Sequence, residues 1–197
     1  ARDAGDLGPN TGGMGAYSPS PLVDEAMHKK IMQQVIIPTV NGFMDAGHPY
    51  QGFLYAGIMI TPDGEPKVLE FNCRLGDPET QPIMLRLDDD LSEICYQVAN
   101  HQLLARPLKW SPQSALGVVL ASEGYPYEYS KGDKISGLDH VHAPYAKIFH
   151  AGTVRTGNDI KTSGGRVLCV TALGADVEQA QKNAYTEVKR IHWDNIF

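Results

Sequence analysis

Val68-Leu69-Glu70-Phe71-Asn72-Cys73-Arg74-Leu75-Gly76-Asp77-Pro78-Glu79-Thr80-Gln81-Pro82 runs from an apolar strand pattern into a dense cluster of polar and charged side chains. Strand alternation over residues 68–72 puts Glu70 and Asn72 on one face, about 7 Å apart along the chain, and Leu69 and Phe71 on the other. A carboxylate and an amide carbonyl so arranged suit a hard ion such as magnesium, which takes one or two protein oxygens and fills its shell with substrate phosphates and water. Arg74 continues that face, and its planar fork suits a phosphate or a carboxylate. Asp77 and Glu79 follow in a turn shaped by Gly76 and Pro78. Chemistry alone leaves a second reading open, an edge strand with a solvated polar face.

Working outward, residues 52–60 and 67–72 are two β-rich apolar runs joined by Thr61-Pro62-Asp63-Gly64-Glu65-Pro66, whose Asp-Gly signal predicts an antiparallel hairpin. Gly57 inside the first run marks a bulge or a close backbone approach. Upstream, the glycine and proline density of residues 5–21 predicts loop throughout. Gly12, Gly13 and Gly15 would let that loop approach a ligand and form an anion-binding nest; a flexible linker is the alternative, and Asn10 and Thr11 speak against it. Residues 21–47 read as helix from the recurrence of Met27, Ile31 and Val35, a stripe that with Met32 is expected to be core, and Pro38 should kink the helix or start a second one. Beyond Pro82, Asp88-Asp89-Asp90 precedes Leu91, Ile94, Cys95 and Val98 at helical spacing. The acidic run is therefore expected to open a helix, in preference to binding a metal.

After the proline-bearing residues 105–114 the pattern changes to short strands at 115–121, 134–138, 146–153 and 166–173, then a helix capped by Asp176 with Gln179 three residues on. Val177, Ala180, Ala184, Val188 and Ile191 give that helix its apolar face. The expected division is 1–105 and 106–197, an α/β part and a small α+β part. His140 and His142 could share a face as metal ligands, but no third ligand is apparent.

Composition narrows the function classes. At 197 residues and 42% hydrophobic the chain can bury a real core, and a net charge of −6 argues against a general nucleic-acid binder. No apolar run approaches a membrane span, and no secretory signal pattern opens the chain. Three widely spaced cysteines, Cys73, Cys95 and Cys169, read as reduced thiols of a cytoplasmic protein. A start at Ala1 in mid-loop and a stop at Phe197 after a helix lead us to expect part of a longer chain.

Two stretches together, residues 8–19 (Gly-Pro-Asn-Thr-Gly-Gly-Met-Gly-Ala-Tyr-Ser-Pro) and 70–82, resemble the signatures of the glycinamide ribonucleotide synthetase (phosphoribosylamine–glycine ligase) family. Residues 121–126, 149–153 and 164–168 are similar to that family's C-terminal domain, so the resemblance covers nearly the whole chain. It implies an α+β fold: the C-terminal part of an ATP-grasp domain, an antiparallel sheet with helices, over 1–105, and a small domain of short strands and a terminal helix over 106–197. It implies an ATP-dependent ligase of purine biosynthesis that joins glycine to 5-phosphoribosylamine through a glycyl phosphate. Glu70 and Asn72 would then hold magnesium or manganese on the ATP phosphates, and Arg74, Asp77 and Glu79 would be catalytic. Asn10, Thr11, Gly12 and Gly13, with Arg74, would line the substrate pocket, and Gly152, Thr153 and Arg166 would close it. Hairpin alignment puts Ile58 where many ATP-grasp enzymes carry a further metal-binding carboxylate. The family's N-terminal domain, its glycine-rich lid and its His-Lys-Arg segment before the glycine loop have no counterpart here, so the implied partner is a missing N-terminal portion. Another ATP-grasp carboxylate–amine ligase, or a noncatalytic fragment, is the alternative.

Overall fold

Residues 15–18 correct the expectation of loop throughout the glycine-rich stretch, because they form a strand. Along residues 1–104, 106–140 and 143–197, which this computed structural model describes, the order is β1 (Gly15–Ser18), α1 (Glu25–Ile31), a π-helical turn (Met32–Ile36), α2 (Ile37–Asp45), β2 (Tyr55–Ile60), β3 (Pro66–Asn72), α3 (Thr80–Arg86), α4 (Leu91–Ala99), β4 (Ser114–Ala121), a 3₁₀ turn (Leu138–His140), β5 (Ala146–His150), β6 (Thr153–Thr156), β7 (Asp159–Thr162), β8 (Arg166–Gly174) and α5 (Val177–Val188). Contacts group these into two units, Ala1–Ser18 with Asp77–Leu87 and Trp110–Phe197, and Pro19–Gly76 with Asp88–Lys109. The expected succession 1–105 and 106–197 divides the chain by sequence; the contact units are discontinuous in it. Residue 105 and the pair His140 and His142, weighed as metal ligands and set aside for want of a third, lie outside what is described, save for the backbone of His140.

The first unit is built on an antiparallel sheet of order β1-β4-β8-β5. β1 pairs with β4, Gly15 opposite Val118 and Ser18 opposite Ala115. A Cβ on Gly15 would lie 2.7 Å from the Gly117 carbonyl oxygen, so only glycine allows this approach. Pairing to a central partner thus overrides the low strand propensity of the stretch. β8 is buried on both faces, with Val167, Leu168, Val170, Thr171 and Ala172 at 0% exposure, which explains its unbroken apolar run. Leu120, Leu168 and Val170 form the core with Ile135, Ile191 and Trp193. α5 packs against β4, β5 and β8, and α3 against β1, β4 and β8. The Asp176 carboxylate accepts the Gln179 amide at 2.8 Å, capping α5 as expected, and Ala180 and Ala184 bring the helix down on the sheet. Ile191 joins the core from beyond the helix end.

Two strand expectations fail here. Residues 134–138 contribute only the isolated bridges Lys134–Lys161 and Ser136–His192. Residues 146–153 are not one strand: the chain turns at Ala151 and Gly152, so β5 stays in the large sheet while β6 pairs with the unanticipated β7. Gly152 forces the turn, because its amide donates to the Arg166 carbonyl and a Cβ there would lie 2.7 Å from both that oxygen and Gly164 Cα.

In the second unit Asp24 caps α1 through the Met27 amide at 2.8 Å. The helix widens into the π turn before Pro38 enters the first turn of α2, so the proline restarts the helix after a local insertion. Of the stripe expected as core only Val35 is buried; Met27, Ile31 and Met32 are half-buried. β2 and β3 form the predicted hairpin, closed by hydrogen bonds between Thr61 and Glu65. Lys30 ties α1 to it, donating to the Gly64 carbonyl at 2.9 Å and the Glu65 carboxylate at 2.6 Å. Asp90 caps α4 through the Ser92 and Glu93 amides, so the acidic run opens a helix as expected. Asp89 pairs with both terminal nitrogens of Arg106 at 2.9 Å and accepts the Lys109 amide.

Candidate functional site

In the first unit the chemistry converges on Arg166, the first residue of β8. Its Nη1 donates to the carbonyls of Gly12 at 2.9 Å, Asp77 at 3.0 Å and Gly13 at 3.3 Å, and its Nη2 donates to Asp77 Oδ2 at 2.8 Å. The glycine loop, the Asp77–Pro78 turn with its cis peptide and the start of β8 are thereby held together. The loop glycines serve this packing. A Cβ on Gly12 would lie 3.1 Å from the Arg166 guanidinium, and one on Gly13, whose φ is +106°, would lie 2.5 Å from Pro78 Cδ. The close approach anticipated towards a ligand is thus made to the protein itself.

Two of the amides expected to line a pocket have partners within this unit: Gly12 N–H donates to the Tyr125 hydroxyl at 3.3 Å and Gly13 N–H to Thr11 Oγ1 at 3.2 Å. Asp77 is 54% exposed and Arg166 21% exposed, so the pair presents its carboxylate and withdraws its cation. Glu79 precedes α3, and its carbonyl accepts the Ile83 amide. Thr153 Oγ1 stands 3.1 Å from His150 Nδ1. Sequence reasoning gave Tyr125 no role of its own and Pro78 only the shaping of its turn, although both hold the loop; neither residue type carries a signal that distinguishes such a contact. Buried beside Thr171, the Cys169 thiol is pushed above its usual range, first by desolvation.

In the second unit Glu70 and Asn72 share the β3 face as predicted, and Asn72 Nδ2 donates to Glu70 Oε1 at 3.1 Å. The register shifts between Gly57 and Ile58, so Glu70 faces Gly57 while Ile58 pairs with Val68. The residue across from Glu70 is therefore Gly57, and neither it nor Ile58 is a carboxylate. Leu69 is the extra residue of this bulge and is 65% exposed. Arg74 is exposed and donates to the Leu75 carbonyl at 2.9 Å. Tyr50 donates to the Phe53 carbonyl at 2.6 Å, and its phenol is raised by desolvation and then by its hydrogen bond with Cys73. Among the described residues no group of three or more His, Cys, Asp or Glu side chains could hold a metal ion. The Glu70–Asn72 pair fits an ion held largely by phosphate oxygens and water, and does not form an all-protein cage.

The phosphoribosylglycinamide synthetase ATP-grasp (A) domain matches residues 2–80, and the C domain of the same synthetase matches residues 115–197. The chain is 56% identical over 192 residues to a phosphoribosylamine–glycine ligase of Vibrio vulnificus, covering 98% of this chain and 45% of the relative. It is 57% identical to the corresponding ligase of Allochromatium vinosum, covering 100% and 46%. Among solved structures, phosphoribosylamine–glycine ligase of Thermotoga maritima superposes with a TM-score of 0.85 at 34% identity, over 98% of this chain and 46% of that one. The chain thus spans a little under half the length of the curated relatives it matches. In their order along one chain, the two domain matches make this protein a member of the phosphoribosylglycinamide synthetase family, carrying ATP-grasp and C-domain sequence.

Proposed function

We propose that the protein containing this chain joins glycine to 5-phosphoribosylamine, hydrolysing ATP to ADP and phosphate by way of a glycyl phosphate, in purine biosynthesis. The observation that carries this reading is the 56% identity over 98% of the chain to a relative named for that reaction. Glu70 and Asn72 would hold magnesium or manganese through their side-chain oxygens; when bound, the ion would draw charge from the transferring γ-phosphoryl group. Arg74 steadies the acyl phosphate or the glycine carboxylate with its charged fork. Asp77 and Glu79 orient the amine, and the loop from Asn10 to Gly13 borders the substrate with Gly152 and Thr153. A cytoplasmic location belongs to the same reading, supported by three unpaired thiols and by the finding that no helix among the described residues is long and apolar enough to cross a membrane. An N-terminal portion completes the ATP site, supported by the share of the relatives left uncovered.

The test is Glu70→Gln in the intact protein, which keeps the shape of the side chain and removes its charge. Turnover should fall by roughly two orders of magnitude or more, with the melting temperature unchanged. Calorimetry should show magnesium-dependent nucleotide binding weakened in parallel. Normal turnover in the variant refutes the metal role. Equal turnover without glycine would favour another carboxylate–amine ligase, and absence of magnesium-dependent nucleotide binding in the unsubstituted protein would favour a noncatalytic fragment.

A further inference from the structure

We propose that Arg166 is a positioning residue, not a substrate contact: it locks the Gly12–Gly13 loop and the Asp77 carboxylate into the geometry that receives the amine substrate. This inference rests on the ligase reading for the identity of that substrate, and on the structure alone for the clamp. A guanidinium offers five N–H donors in one plane. Four oxygens surround two of its nitrogens: the carbonyls of Gly12, Gly13 and Asp77 share Nη1, and Asp77 Oδ2 takes Nη2. These acceptors come from two segments far apart in sequence, so the fork joins parts of the chain that no local hydrogen bond could join.

Three further observations point the same way. Arg166 is 21% exposed against 54% for Asp77, so the cation sits behind the carboxylate it orients. Gly12 leaves the guanidinium no spare room, since a Cβ would lie 3.1 Å from both Cζ and Nη2. The backbone of Arg166 is engaged as well, its carbonyl accepting the Gly152 amide at 2.9 Å, so the side chain projects from a fixed strand end. Lysine could satisfy part of this acceptor set, but a point charge cannot reproduce a planar fork shared between three carbonyls and a carboxylate.

The experiment compares Arg166→Ala and Arg166→Lys with the unsubstituted intact protein, by steady-state kinetics and by hydrogen exchange of the segment holding Gly12 and Gly13 without substrates. A misplaced positioning group should raise KM for 5-phosphoribosylamine by about 10- to 100-fold in the alanine variant, leave KM for ATP unchanged, and be partly rescued by lysine. Exchange at the Gly12 and Gly13 amides should quicken in the alanine variant, because the loop is loosened before any substrate arrives. Unchanged loop exchange in Arg166→Ala overturns the clamp, as does a lysine variant no better than alanine or an equal rise in both KM values. If alanine does not fold, the lysine variant decides by the same two readouts. If the unsubstituted protein turns over no phosphoribosylamine, the ligase reading fails, and loop exchange still decides the clamp.

Discussion

Replacing Gly13 with alanine tests whether the glycine loop is shaped by the protein's own packing. Two costs add at this position. The backbone sits at φ +106°, outside what an L side chain readily adopts, and holding it there costs about 1–3 kcal/mol. The added Cβ would lie 2.5 Å from Pro78 Cδ and 3.3 Å from its Cγ. A proline ring cannot swing aside as a flexible chain would, so overpacking adds about 1–3 kcal/mol. The expected loss of about 2–6 kcal/mol is a large share of a typical stability of about 5–15 kcal/mol. Gly157 supplies the control, with φ +61° and nothing within 4 Å of an added Cβ. Gly157→Ala should therefore cost only the backbone term, about 1–2 kcal/mol. Urea unfolding of the two intact variants, compared at a common slope, reads the difference directly. A Gly13→Ala loss no larger than that of Gly157→Ala would refute the Pro78 contact and the packing account of the loop.

Thiol accessibility should divide the cysteines: Cys73 and Cys95 are exposed and Cys169 is 2% exposed with its thiol raised by burial. Under native conditions peptide mapping after treatment with a disulfide-exchange reagent should find the first two labelled and Cys169 labelled only on unfolding; early labelling of Cys169 would contradict the burial of β8. Asp89 should give an acid-sensitive fastening of the segment after α4. Its hydrogen bonds from Arg106 and the Lys109 amide lower its pKa from 3.8 to about 2, so the stabilisation is present above pH 3.8 and is lost as pH falls through about 2. Exchange at the Lys109 amide should quicken across that window, and Asp89→Asn should abolish the change; a flat profile in the unsubstituted protein argues against the fastening.

Elements with a local cause were legible in the sequence. The hairpin announced itself through Asp63-Gly64 and two β-rich runs, and α4 and α5 through capping carboxylates ahead of helical apolar spacing. β1 was hidden because its cause lies a hundred residues away, in the Gly117 carbonyl that only a glycine can approach. The division between β5 and β6 was hidden for the same reason: Gly152 turns the chain against Gly164 and Arg166, which no local pattern shows. For the candidate site, the shared face of Glu70 and Asn72 followed from alternation, and the glycine loop from composition. That the loop closes on Arg166, Pro78 and Tyr125 was not readable, since it depends on contacts across 65 to 154 residues.

The bulge in β3 bears on the proposed metal pair most directly. Counting back from the turn, Pro66, Lys67 and Val68 pair with Ile60, Met59 and Ile58; a regular ladder would continue with Leu69 opposite Gly57 and Glu70 opposite Ala56. The extra residue puts Glu70 opposite Gly57 and Asn72 opposite Tyr55. Gly57 then gives Glu70 its room, because a Cβ there would lie 3.1 Å from Glu70 Cγ. Paired residues of an antiparallel ladder share a face, so deleting Leu69 should restore the regular ladder and leave Glu70 opposite Gly57 and Asn72 opposite Tyr55, on the face they now share. The expected outcome in the intact protein is that magnesium-dependent nucleotide binding and exchange protection of β2 are both retained, since the two strands still pair and the donor pair keeps its face. Retained protection together with lost binding would mean that the shared strand face does not set the donor pair, and the role given to Glu70 and Asn72 would have to be withdrawn.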